Sequence, residues 1–151
     1  MEQTANELDY RELMKLSNQL CFPIYAAARK VTGLYATFMK AINLTYTQYL
    51  VMLVLWEQDS IPVSEICGKL YLDNGTVSPL LKKLEKEGLI CKTRSPEDER
   101  VVLVNLTEKG RALQEKAKEV PGQVGNCIQL APAKALALYQ MLYEILEEGN
   151  E

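Results

Sequence analysis

A chain of 151 residues with 48% apolar and 25% charged side chains has the composition of a globular domain with its own core. A formal charge of −3 offers no bulk attraction for nucleic acid, and the absence of histidine excludes imidazole catalysis, His-containing zinc sites and a histidine pH switch. Cys21, Cys67, Cys91 and Cys127 are scattered with no C-x-x-C pair, against a zinc ribbon or a disulfide scaffold, and no Gly-rich phosphate loop is present.

The first predicted element is a long helix. Leu13, Leu16, Leu20, Ile24, Ala27, Val31, Leu34 and Phe38 recur at steps of three or four, which keeps them on one face in need of a partner surface. Pro23 lies inside this stripe and is expected to bend or weaken it. Thr45-Tyr46-Thr47-Gln48 has the form of a capping box and opens a second helix, to about Glu57, apolar enough to be buried. Its apolar run, 50–56, is far short of a membrane span. With no basic region at Met1-Glu2-Gln3-Thr4, the expectation is a cytoplasmic chain with no secretory signal and no membrane partner.

The centre follows a recognisable order. Ile61-Pro62-Val63 reads as a short extended piece, and Ser64 as the cap of a helix with Ile66, Cys67 and Leu70 on its apolar face. Asp73-Asn74-Gly75-Thr76 makes a turn that also caps a further helix, ending near Glu87 with Gly88 just beyond. Two helices across a short turn make a helix-turn-helix. Strand-like runs at 89–94 and 101–106 follow, joined by Ser95-Pro96-Glu97-Asp98-Glu99-Arg100, and a hairpin in that place is a wing. Between residues 64 and 100 seven Lys and Arg are matched by seven Asp and Glu, so DNA affinity must come from where the cations sit.

Thr107-Glu108 caps a long polar helix expected to break at Pro121-Gly122. Pro132 starts a last helix striped by Leu136, Tyr139, Leu142 and Ile145 or Leu146. The predicted fold is mainly α with a small β wing, as one domain over residues 1–151. A winged helix-turn-helix at 60–107 is flanked by dimerisation helices at 10–42 and 108–149.

Leu20-Cys21-Phe22, Leu44-Thr45-Tyr46-Thr47-Gln48-Tyr49, Leu70-Tyr71-Leu72-Asp73-Asn74-Gly75-Thr76 and Pro96-Glu97-Asp98-Glu99-Arg100 resemble the MarR family of bacterial regulators. Within it, the resemblance is strongest to the organic hydroperoxide resistance regulators, over about residues 13–120. It implies a homodimeric repressor, not an enzyme, that binds a pseudo-palindromic double-stranded DNA operator and needs no cofactor or metal. By position, Arg100 would enter the minor groove, oriented by Asp98, while Thr76, Ser78, Pro79 and Lys82 would face the major groove or its phosphates. The side-chain chemistry agrees in part, since an arginine at a hairpin tip suits a narrow minor groove and small hydroxyls reach base edges. Lys83 and Lys86 stay open between a phosphate role and a solvated helix face.

The same resemblance makes Cys21 the peroxide-sensing thiol, with Tyr35 and Tyr46 of the other subunit as hydrogen-bond donors. Locally, Ser17, Asn18, Ile24 and Tyr25 lie one helical turn away and include no cation. The hydroxyls of Ser17 and Tyr25 are available if the helix survives Pro23. Cys127 matches the second cysteine that some of these regulators use to close an intersubunit disulfide, whereas others cap a single sulfenate with a small thiol. An uninvolved Cys127 remains open. Cys67 is expected in the core, and Cys91 half exposed in a wing strand without an assigned role.

The implied function is therefore a repressor that releases its operator when an organic hydroperoxide oxidises Cys21 and Cys127 then closes a disulfide. Two other readings are a regulator released by a small aromatic ligand near Tyr25, Tyr35, Tyr46 and Tyr49, and a thiol peroxidase. The peroxidase lacks the threonine and arginine surroundings usual in such enzymes.

Overall fold

In the computed structural model, which describes residues 10–148, the long N-terminal stripe is divided ahead of Pro23. The N-terminal tetrapeptide and Gly149, the last residue of the predicted dimerisation segment, lie outside the described residues. Helix α1 covers Tyr10–Leu13, a 3-10 turn covers Leu16–Asn18, and α2 runs over Cys21–Ile42. Pro23 is the third residue of α2, where an N–H has no intrahelical acceptor in any case. The proline therefore opens the helix and does not kink it. Asn43 ends it in the left-handed region, at φ 54°.

Helix α3 (Tyr46–Glu57) starts on the predicted capping box: Gln48 N–H donates to Thr45 Oγ1 at 3.3 Å and Thr45 N–H to Gln48 Oε1 at 2.8 Å. With Tyr49, Val51, Met52 and Leu55 buried, it is the central helix, packed against α2, α4, α5 and α6. Next come β1 (Ile61–Pro62), α4 (Val63–Leu70) and α5 (Asn74–Lys86), the last capped by Asp73 and followed by Gly88 at φ 72°. Ser64 is not the cap of α4: Pro62 holds that place at the end of β1, so Ser64 is already inside the first turn.

Strands β2 (Ile90–Arg94) and β3 (Val102–Leu106) form the hairpin, and β1 pairs with the outer side of β3, Ile61 opposite Val104. The wing is thus tied to the helix-turn-helix by a third strand. Ile61, Ile66, Val77, Leu81, Leu84, Ile90 and Val104, all fully buried, form the core between them.

Helix α6 (Glu108–Ala117), capped by Thr107, closes over this core. Gly110 has no room for a side chain: a Cβ there would stand inside van der Waals contact of the Leu89 carbonyl oxygen and 3.2 Å from Leu106 Cδ2. Its own carbonyl accepts the Trp56 indole N–H at 2.9 Å. Nearby, Asp59 accepts the Leu106 N–H at 2.8 Å and the Arg111 guanidinium at 2.6 Å. Burial pushes the Asp59 carboxyl up, but the hydrogen bonds from Leu106, Arg111 and Ser60 outweigh it and hold it below the ordinary carboxylate value.

A depressed folded-state value means stability fully present above the ordinary carboxylate value and lost as pH falls from there through the lowered one. Asp59→Asn is accordingly expected to cost about 1 kcal/mol at neutral pH. Urea unfolding should show that difference from wild type shrinking as pH falls below the ordinary carboxylate value.

The chain divides into two compact units, the first ending at Lys118 and the second starting at Glu119. The second holds α7 (Val120–Cys127) and α8 (Pro132–Glu147). Pro121 does not interrupt a long helix as expected. The polar helix has already ended at Ala117, and Pro121 sits in the first turn of α7. Helix α8 starts on Pro132 as predicted, and none of its residues is buried: Leu136, Tyr139, Leu142, Ile145 and Leu146 all face outward. So do Leu13, Leu16, Leu20 and Ile24 at the other end. Among the described residues, no single helix is long and apolar enough to cross a membrane.

Candidate nucleic-acid interface and thiol site

Helix α5 turns Val77, Leu81 and Leu84 into the core and leaves Thr76, Pro79 and Lys82 on the opposite, exposed side, with Ser78 half-buried between. Its first turn is tightly organised. Asp73 Oδ1 accepts the Thr76 N–H at 2.8 Å, and Oδ2 accepts the Thr76 hydroxyl at 3.1 Å. These two bonds hold the Asp73 carboxyl below its ordinary value. Ser78 Oγ donates to Asn74 Oδ1 at 3.1 Å. Both hydroxyls thus spend their proton inside the helix and present acceptor lone pairs outward. Pro79 has no N–H, so the Gly75 carbonyl lacks its i+4 donor and stands as a further acceptor. Donors for base or phosphate oxygens on this face come from Lys82 and from the Asn74 side-chain amide.

The wing tip is built around one ion pair. Arg100 Nε and Nη2 reach Asp98 Oδ1 and Oδ2 at 3.1 and 3.2 Å, and the Arg100 N–H also donates to Oδ1 at 3.0 Å. The arginine's side chain and N–H hold the Asp98 carboxyl below its ordinary value. The Arg100 side chain is nevertheless 91% exposed. Asp98 therefore fixes the direction of the guanidinium without covering it. Between α4, the start of α5 and the wing lies a cleft of about 650 Å³, with Cys67, Ser78, Lys92 and Arg100 in its walls. Cys67, expected in the core, is only half-buried and opens into this cleft, because Ile66 beside it takes the core position.

The thiol site depends on where α2 begins. Cys21 is its first residue and is exposed, so an anion formed on Sγ lies at the positive pole of a 22-residue helix. Sequence reasoning missed that field because it started the helix at Leu13. Ser17 falls in the preceding 3-10 turn and Tyr25 stays one turn on, exposed, its ring stacked on Arg29 at 5.6 Å.

Tyr35 and Tyr46 are brought together, ring centroids 4.6 Å apart, with buried Tyr49 at 6.0 Å from Tyr35 and Trp56 at 6.3 Å from Tyr49. Burial raises all three tyrosine hydroxyls, with Tyr35 adding to it at Tyr46 and Tyr49, so each remains a protonated donor at neutral pH. Cys21 and Tyr35 are fourteen residues apart on one helix, about 21 Å of its axis. Within one chain the tyrosine pair cannot touch the Cys21 thiol. Cys127 ends α7, exposed, its Sγ donating to the Gln123 carbonyl at 3.4 Å. Cys91, in β2, is exposed. Among the described residues there is no cluster of side chains able to hold a metal ion.

Comparison with known proteins places these features in a family. The model of the transcriptional regulators SarA/Rot matches residues 33–117, from mid-α2 to the end of α6. An organic hydroperoxide resistance transcriptional regulator of Bacillus subtilis is 44% identical over 142 residues, which cover 94% of this chain and 95% of that protein. Among solved structures, reduced AbfR bound to DNA superposes with a TM-score of 0.77 at 31% identity, covering 94% of this chain and 99% of that one. Disulfide-formed AbfR gives 0.63 at 34% identity, covering 91% and 97%; AbfR is a protein of Staphylococcus epidermidis. All are regulators, not enzymes, which removes the peroxidase reading. The chain belongs to the SarA/Rot family of transcriptional regulators, and its winged helix-turn-helix, matched segments and relatives make it a MarR-type regulator of the organic hydroperoxide resistance kind.

Proposed function

We propose that the chain is a cytoplasmic, homodimeric repressor that holds a pseudo-palindromic operator while Cys21 is reduced and releases it when an organic hydroperoxide oxidises that thiol. The observation that carries this reading is the separation along α2. An exposed thiol at one end and a half-buried tyrosine pair, whose Tyr35 lies fourteen residues on, become a single site only across two chains. The unburied faces of α1, α2 and α8 supply apolar surface for such a dimer. Support also comes from the relatives: the B. subtilis protein is named for organic hydroperoxide resistance, and AbfR has been seen reduced on DNA and with a disulfide formed.

DNA contact falls to Thr76, Ser78, Pro79 and Lys82 in the major groove and to Arg100, braced by Asp98, in the minor groove. In the redox step the Cys21 thiolate attacks the peroxide's terminal oxygen. An S–O bond forms, the O–O bond breaks, and the peroxide leaves as the alcohol after taking up a proton. Tyr35 and Tyr46 of the partner subunit, with Tyr25 nearby on α2, donate hydrogen bonds to the thiolate and then to the sulfenate. The Cys127 thiol of the partner then attacks Cys21 Sγ, an S–S bond replaces S–O, and water leaves with the thiol proton. A covalent link between the flanking helices changes the spacing of the two recognition helices, and a hundredfold loss of affinity needs a coupling of only about 2.7 kcal/mol.

The test is a gel shift with cumene hydroperoxide. Wild type should release operator DNA and Cys21→Ser should stay bound; equal release by both refutes the sensor assignment. Oxidised wild type should migrate as a disulfide-linked dimer without reductant and Cys127→Ser as a monomer. An oxidised wild type that runs as a monomer removes Cys127 from the mechanism.

A further inference from the structure

The chain is acidic overall, yet its lysines are not evenly spread. Lys40, in the last turn of α2, and Lys83 and Lys86, in the last turn of α5, line one hollow of about 400 Å³ together with Thr45 and Gln48. None of the three makes an ion pair among the described residues, although other lysines there do. A cation in the last turn of a helix is favoured by that helix's own dipole, which accounts for each lysine singly. It does not account for two helix ends bringing three lysines to the wall of one hollow, a local excess of positive charge that a bound anion would neutralise. Glu87, the one carboxylate in the wall, is paired with none of them.

The position of the hollow names the anion. Lys86 lies one turn beyond Lys82 on the same side of α5, and ten residues, or about 15 Å of axis, beyond Thr76. The major groove is only about 8.5 Å deep. If Thr76 and Ser78 reach base edges at the floor, Lys83 and Lys86 stand at the groove's lip, at the level of the phosphates. We propose that Lys40, Lys83 and Lys86 form a clamp for the sugar-phosphate backbone bordering the major groove, which adds affinity and no sequence preference. This rests on the DNA-binding reading above and extends it to residues on α2, outside the helix-turn-helix.

Salt dependence is the readout. Removal of one lysine–phosphate pairing should make the slope of log K against log salt shallower by about 0.9, and a dimer offers two clamps. The duplex is one selected from a random library by repeated binding to wild type, with a scrambled duplex alongside. Lys40→Gln/Lys83→Gln/Lys86→Gln, its unfolding midpoint first matched to wild type, should flatten the slope by about 2 to 5 on both duplexes and leave the ratio of their affinities unchanged. An unchanged slope overturns the clamp while leaving the DNA-binding reading intact. A fall in the affinity ratio without a change in slope also overturns it, since that pattern belongs to base contacts. Protection of wild type alone from thermal unfolding by inorganic phosphate, with an unchanged slope, assigns the hollow to a small anion instead. A wild type that enriches no duplex at all refutes the DNA-binding reading itself.

Discussion

Arg100→Ala is expected to weaken operator binding by about two orders of magnitude. An arginine in a groove contributes about 1–3 kcal/mol, and a dimer places two of them, so even about 1.4 kcal/mol from each gives a factor of about one hundred. The structure makes the arginine suitable for that role because the cost of ordering it is already met: three hydrogen bonds to one carboxylate fix its direction before DNA arrives. Asp98→Asn should therefore lose less, retaining the charge but loosening its aim. The depressed Asp98 carboxyl keeps the brace ionised at and above neutral pH and gives it up only as pH falls below the ordinary carboxylate range. Fluorescence anisotropy titrations at one fixed salt concentration would measure all three proteins. Wild-type affinity in Arg100→Ala would mean that the wing tip does not reach the duplex.

Gly110→Ala is expected to be the most damaging single methyl group in the first unit, lowering stability by about 3 kcal/mol and the unfolding midpoint by about 10 °C. The obstacle is the Leu89 backbone, which cannot swing aside as a flexible side chain would, and moving α6 away also pulls the Gly110 carbonyl off the Trp56 indole. Trp56 is the only tryptophan, so its emission reports that separation directly. Gly68→Ala is the matched control. Nothing lies within 4 Å of a Cβ there, and an alanine inside α4 should leave stability unchanged or raise it by up to about 1 kcal/mol. Equal midpoints for the two variants would mean that the close approach of α6 to Leu89 does not exist in solution.

The parts of this fold that were legible in the sequence are those whose cause is local. The Thr45/Gln48 box, the Asp73 and Thr107 caps, Gly88 after α5 and Pro132 at the head of α8 each act on backbone groups within four residues, and each appears where the sequence puts it. Pro23 and Pro121 were misread in the same way. Apolar periodicity gives the phase of a helix but not its first residue, so a proline in a first turn looks like one in the middle. That error hid the placement of Cys21 at a helix N-terminus. The pairing of Ile61 with Val104 is two residues long and depends on segments more than forty residues apart, beyond the reach of any local pattern. The Lys40, Lys83 and Lys86 hollow is non-local for the same reason. Thr76 and Ser78 were legible as small hydroxyls on a recognition helix, whereas the commitment of their protons to Asp73 and Asn74 requires coordinates.

The length of α2 carries a consequence for dosage. On the two-chain site proposed above, a Cys21 thiol about 21 Å along α2 from Tyr35 takes its donors from a second molecule, so a lone chain is expected to be a slow and unselective target for peroxide. Response rate then depends on how much of the regulator is present as well as on how much oxidant arrives: diluted below the dissociation constant of its dimer, it should react like any exposed cysteine. Mixed pairs carry the same logic further. A chain with Cys21 intact but joined to one lacking Tyr35 and Tyr46 should sense poorly. Sensitivity on that proposal is a property of stoichiometry, retuned by expression level without altering a residue.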